Sequence, residues 1–154
     1  MAITASVEKK SEQALVAALK LHADLAALDA SSDFIRRYSD RSKTRAFPCV
    51  LVRCAETVTP TLDDQGHYIA LMEIQCHTLK KDDANADLVN DAVAAVRDAF
   101  TAAGFVTNLE SVGGIDVVLA RKPASTSQDL RRRDDGKYHV RTLLREIVLE
   151  MVNI

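Results

Sequence analysis

Apolar residues recur at spacings of three and four near the start of the chain. Leu15, Leu19, Leu25 and Leu28, joined by Val16, Leu21 and several alanines, predict an amphipathic helix over residues 7–28. Glu8, Lys9, Lys10, Glu12 and Lys20 are expected on its outer side. The polar residues 29–33 end it, and the basic, apolar-poor stretch 36–45 reads as a loop. Phe47-Pro48 then opens a strand to about residue 57, since proline is tolerated where a strand can spare its first N–H. Residues 59–66 form a turn signal. The clearest alternation follows over residues 67–79. Ala70, Met72, Ile74, Cys76 and Thr78 share one face, while Glu73, Gln75 and His77 share the other, which predicts antiparallel pairing with the preceding strand.

A second helix is predicted over residues 86–103. Val89, Val93, Val96 and Phe100 mark its buried stripe, Asp83 and Asn85 are N-cap candidates, and Gly104 is a C-terminal stop. A third strand lies within residues 108–121, bent at Gly113-Gly114, and residues 122–136 read as a polar loop. Residues 138–152 fit two readings. A helix would place Leu143, Leu144, Ile147, Val148, Met151 and Val152 together, and a strand would split them between two faces; periodicity slightly favours the helix. The expected class is α+β, with helices on one face of a mainly antiparallel sheet.

At 154 residues the chain fits one domain over 1–154. A hydrophobic share of 47% with 27% charged residues belongs to a folded protein. The balance of 20 basic to 22 acidic residues gives no general attraction for nucleic acid, and the absence of tryptophan removes a base-stacking platform. The opening residues lack a basic start followed by an apolar core, so no secretion signal is expected, and no apolar run reaches the ~20 residues of a membrane span. Cys49, Cys54 and Cys76 are odd in number and lie in apolar runs, which suits reduced thiols in the cytoplasm.

Chemistry-bearing motifs are scarce. No phosphate loop, dinucleotide fingerprint, nucleophile elbow or zinc-protease motif occurs. Cys76 and His77 are adjacent on a strand and so aim at opposite faces, which speaks against a metal site with His67. The acid pairs Asp63-Asp64, Asp82-Asp83 and Asp134-Asp135 fall in loops and read as solvated carboxylates. No catalytic, cofactor-binding or metal-binding residue is nominated, and an enzyme is not expected. Two basic stretches stand out instead. Residues 36–45 hold five basic residues and one acid; residues 121–137 hold six and three. They read either as solvated loops or as salt-bridging surfaces that meet Asp63, Asp64, Asp82 and Asp83 of another copy head to tail, a contact type that closes into rings.

Three features together resemble the tail terminator (tail completion) proteins of long-tailed bacteriophages. The first is an amphipathic N-terminal helix leading into the strand Phe47-Pro48-Cys49-Val50-Leu51-Val52. The second is a long partner strand, Ala70 to Thr78, followed by a helix from Asn85 to Phe100. The third is Arg131-Arg132-Arg133-Asp134-Asp135-Gly136-Lys137-Tyr138 leading to Glu150-Met151. The resemblance implies two helices on the sheet in the order α-β-β-α-β-β, with residues 138–152 as a strand. It implies a virion protein with no cofactor, forming a hexameric ring on the head-proximal end of the tail tube. That ring stops tube growth and offers a surface for joining the head, so its partners would be itself, the tube protein and a neck or connector protein, with no membrane. The expected interface residues are Arg36, Arg37, Arg41, Arg45, Asp63, Asp64, Arg131, Arg132, Arg133, Asp134 and Asp135. The competing readings are a neck or head-closure connector of the same kind of particle, a small enzyme whose pocket of convergent polar groups the sequence does not show, and a cytosolic adaptor dimer.

Overall fold

A computed structural model describes residues 6–28, 34–39, 48–58, 67–123 and 130–152. The first helix, α1 (Val7–Lys20), starts where the Ser6 hydroxyl accepts the Lys9 N–H at 3.1 Å. The predicted long helix does not run through. The Leu21 and His22 N–H groups turn back to Ala18 and Leu19, tightening the last turn, and the chain restarts as α2 (Ala23–Leu28). The buried Leu25 holds α2 in the core.

The sheet is mixed but mostly antiparallel. Its strands are β1 (Ile35–Arg37), β2 (Cys49–Val58), β3 (His67–Leu79), β4 (Ile115–Arg121), β5 (Leu130–Asp135) and β6 (Tyr138–Met151). They lie in the order β1-β2-β3-β6-β4, with β5 also on β6, and among the described strands only β1 pairs in parallel. The spine is β6. One edge pairs with β3 along nearly its whole length, from Leu79↔Tyr138 to His67↔Glu150. The other edge is shared end to end, β5 taking the first half and β4 the second. A two-residue turn joins β5 to β6, with Gly136 at positive φ in its first central position.

Of the two readings open for residues 138–152, the strand holds over residues 138–151; two other expectations change. Their helical look arises because Leu143, Ile147 and Leu149 are buried on one face while Val140 and Leu144 are buried on the other. Two stretches read as loops also hold strand residues: β1 ends in the first two residues of 36–45, and β5 lies within 121–137. Both are edge strands, where paired neighbours rather than apolar content supply the order. Finally, α3 (Asp87–Thr101) is followed by the short α4 (Phe105–Leu109) and a 3-10 turn, Glu110–Val112, so the described helices exceed the two expected.

Helices α1, α3 and α4 pack on one face of the sheet. That face presents Val50 and Val52 from β2, Met72, Ile74 and Cys76 from β3, and Leu143, Ile147 and Leu149 from β6. Each fully buried aliphatic side chain of this kind contributes about 1.5–3 kcal/mol. Among the described residues no helix covers the opposite face.

The start of α3 is unusual. Ala86 occupies the N-cap position at φ 60°, the left-handed region, and has no side chain to cap with. Asp83 supplies the missing acceptor from three residues upstream. Alanine pays roughly 1–2 kcal/mol there, partly offset by glycine's greater freedom when unfolded. Ala86→Gly is therefore expected to raise the unfolding free energy by about 0.5–1 kcal/mol. A urea midpoint that stays in place or falls would show the strain to be absent.

Candidate assembly surfaces

The residues nominated from sequence do not form one cluster. Arg36 and Arg37 lie on β1 at one edge of the sheet, and Arg131, Arg132 and Arg133 lie on β5 at the other. Four inter-strand spacings separate them, roughly 19 Å at ~4.8 Å each. Asp134 and Asp135 complete β5, although their side chains and that of Arg131 lie outside the described ones. Arg41, Arg45, Asp63 and Asp64 also lie outside the described residues.

At the β1 edge the arginines are built into the fold. Arg36 is buried. Arg37 grips Glu12 through Nε at 2.8 Å and a terminal nitrogen at 2.7 Å. The other carboxylate oxygen of Glu12 accepts the Cys54 N–H at 2.9 Å. Glu12 was expected on the outer side of its helix; it is buried and clasps two strands. It reaches them at the bulge in β2, where the register slips between Cys54 and Glu56. Beside this clasp runs a groove of 260 Å³ between α1 and β1, with Val16, Ala17 and Ile35 apolar and Lys20, Arg36 and Arg37 basic. Just beyond it Leu21 is 61% exposed.

The β5 edge is different. Arg132 and Arg133 are exposed, and charge of this kind guards an open strand edge against unwanted pairing. They border a depression of 360 Å³ over β3 and β6, with Glu73, Gln75, Val140 and Thr142 beneath. Glu73 is held by Arg53 at 2.6 Å, and the Arg53 guanidinium lies 5.6 Å from the Tyr38 ring centre.

A further surface has no signature in the linear sequence. On the face without helices, Val58, Ile69, Val148 and Leu119 lie directly opposite one another across β2, β3, β6 and β4. All four are at least partly exposed, Val58 at 45%. Leu71 adjoins the row, and Val118 bulges from the β4 edge at 57% exposure. Charged rows flank it. Glu56 and Glu146 lie on one side, Glu146 paired with Arg121 at 3.0 Å; Glu150 and Asp116 lie on the other, Glu150 facing His67 at 3.5 Å.

The remaining polar residues serve structure. Cys76 belongs to the core, while the His77 ring contacts the Gln75 side chain at 2.9 Å, so the two do aim apart. Burial pushes the Cys76 thiol up to about 12, with Cys49 adding. Burial, then the Glu8 and Glu12 charges, push Cys54 up to about 11 against the pull of its bond to the Glu56 carbonyl. Both stay protonated thiols at neutral pH, which makes them poor nucleophiles. Asp83, expected in a solvated pair and also as an N-cap candidate, is buried and does cap the start of α3. Its carboxylate accepts the Thr78 hydroxyl at 2.8 Å, the Leu88 N–H at 2.9 Å and the Val89 N–H at 3.1 Å. The His139 ring lies 2.9 Å from its backbone carbonyl. Among the described residues no three His, Cys, Asp or Glu side chains gather as metal ligands, and no helix is long and apolar enough to cross a membrane. No family model matches the chain, and comparison with curated proteins finds no match.

Proposed function

We propose that this chain is a structural ring subunit that caps the tail tube of a long-tailed phage or a related particle. The observation that carries this reading is the part of the helix-free face where an apolar row, at least partly exposed among the described residues, bridges four strands between charged margins. A sheet face of this composition is stabilised by a covering layer. A ring subunit finds that cover in its neighbours. In this reading the family layout α-β-β-α-β-β corresponds to α1-β2-β3-α3-β4-β6, with α2, β1, α4 and β5 as additions. The exposed Arg132 and Arg133 on β5 supply a basic margin for docking the tube. A tube of stacked rings exposes an unsatisfied growing end. A ring that matches that end on one side only stops growth and leaves its other side for the head.

Light scattering on the purified protein, alone and with tube protein of the same particle, tests the reading. A ring-sized mass and tubes that stop lengthening are expected. The double variant Arg132→Glu/Arg133→Glu is expected to reduce capping about tenfold, equivalent to ~1.4 kcal/mol of docking energy. Unchanged capping would remove these arginines from the docking surface. A stable dimer indifferent to tube protein would sink the ring, and capture of portal-side proteins in place of tube protein would move it to the neck.

A further inference from the structure

Strands β3 and β6 end together. Leu79 faces Tyr138 in the last rung of their ladder, and one step beyond it the Lys80 N–H donates to the Lys137 carbonyl at 2.9 Å. Lys80 and Lys137 therefore stand opposite each other across the strand ends. Lys81 follows in a tight turn, in which the Asp82 and Asp83 N–H groups bond back to the carbonyls of Leu79 and Lys80. Around these residues lies a cavity of 630 Å³, lined among the described residues by Leu79, Lys80, Lys81, Gly136, Lys137 and Tyr138. Like charges set opposite one another across two strands are destabilising, and a third cation beside them adds to that cost. The described carboxylates do not offset it. Asp83 is turned to Thr78 and the start of α3, and Asp82 makes no ion pair. Among the described residues none of the three ammonium groups has a hydrogen bond or an ion pair.

Three uncompensated cations around one cavity select an anion. Lysine acts as a point charge suited to phosphate, and among the described residues no arginine fork lines the cavity to grip a planar carboxylate. A single phosphate ester carries about −1.5 to −2 at neutral pH, so three ammonium groups match a chain of phosphates better than one. The cavity is far larger than the phosphates alone and falls in the ~300–1,000 Å³ range of small-molecule sites. Leu79 and the Tyr138 ring supply an apolar wall, and the ring offers a face for stacking. We propose that this cavity binds an organic polyphosphate, an aromatic body carrying two or three phosphates, with Lys80, Lys81 and Lys137 on the phosphates and Leu79 and Tyr138 against the body. The proposal does not rest on the ring reading.

Calorimetric titration of the full chain with ATP, tripolyphosphate and a single-stranded oligonucleotide tests it. Saturable ATP binding is expected, weakened about tenfold in Lys81→Ala/Lys137→Ala. Lys9→Ala/Lys122→Ala removes the same charge from exposed positions elsewhere and should leave binding unchanged. The urea midpoint of the cavity variant is expected at or above the parent's, since removing like charges relieves repulsion. A fall would show the three cations to be compensated within the fold and would overturn the site. Equal weakening in the two double variants would reduce binding to general charge and overturn it too. Tripolyphosphate binding as tightly as ATP would overturn the role given to Leu79 and Tyr138. Oligonucleotide binding without ATP binding would replace the small ligand by a nucleic-acid backbone, and binding of none of the three would overturn the proposal outright.

Discussion

Replacing Glu12 by alanine is expected to lower the unfolding free energy by about 2–3 kcal/mol, because one carboxylate satisfies three donors on two strands. Arg37 would lose both its bonds, and the Cys54 N–H would lose its acceptor at the β2 bulge. The arginine side chain is 28% exposed and can turn towards water, which keeps the cost below that of stranding a fully buried charge. Cys54 has no such escape, since its amide sits beneath α1 in a fixed ladder. Glu12→Gln keeps an acceptor and a donor in the same place and should lose about half as much. Urea unfolding gives the size of the effect, and hydrogen exchange at the Cys54 amide gives its location. A loss under about 0.5 kcal/mol, ordinary for a surface substitution, would show that the clasp does not hold β1 and β2 to α1.

Asp83→Ala should cost a similar amount, ~3 kcal/mol, by a different route: it uncaps α3 and leaves the Thr78 hydroxyl buried without its acceptor. The same residue sets a pH dependence. Burial alone would raise the Asp83 carboxyl, but bonds from the Leu88 N–H, the Thr78 hydroxyl and the Val89 N–H, with a further pull from His139, hold it below the ordinary carboxylate range. A carboxyl lowered in the folded state stabilises fully above its unfolded value of about 3.9. That contribution drains away as pH falls from there through the lowered native value. The parent should therefore lose stability on acidification below about pH 4 more steeply than Asp83→Asn, in which this group no longer titrates. Chemical unfolding at pH 3, 4 and 6 separates the two, and parallel curves would remove Asp83 as the cause.

Much of the local structure followed from pattern. Alternation in residues 67–79 marked β3 to its ends, and the spacing of Val89, Val93 and Val96 marked α3. Both signals are strong because each element buries one face and exposes the other. The signal failed where that condition fails. β6 lies in mid-sheet with apolar residues on both faces, so its alternation blurs into an apparent helical repeat. β1 and β5 are short, charged edge strands that owe their order to β2 and β6. Glu12 looked like a solvent-facing acid because its partners, Arg37 and Cys54, come from different elements; Asp83 was legible as a cap for the helix after it, but its burial was not, because Thr78 comes from the strand before the turn.

The sequence by itself determined the α+β class, the extents of β3 and α3, and the absence of a familiar catalytic motif, because these depend on neighbours within a few residues. Tertiary structure alone decided which surfaces exist. Strand register brought Val58, Ile69, Val148 and Leu119, drawn from four separate strands, into one row, and strand order sent the two arginine groups to opposite edges. Register and order are fixed by the packing of the whole sheet against its helices, so no local window of sequence contains them.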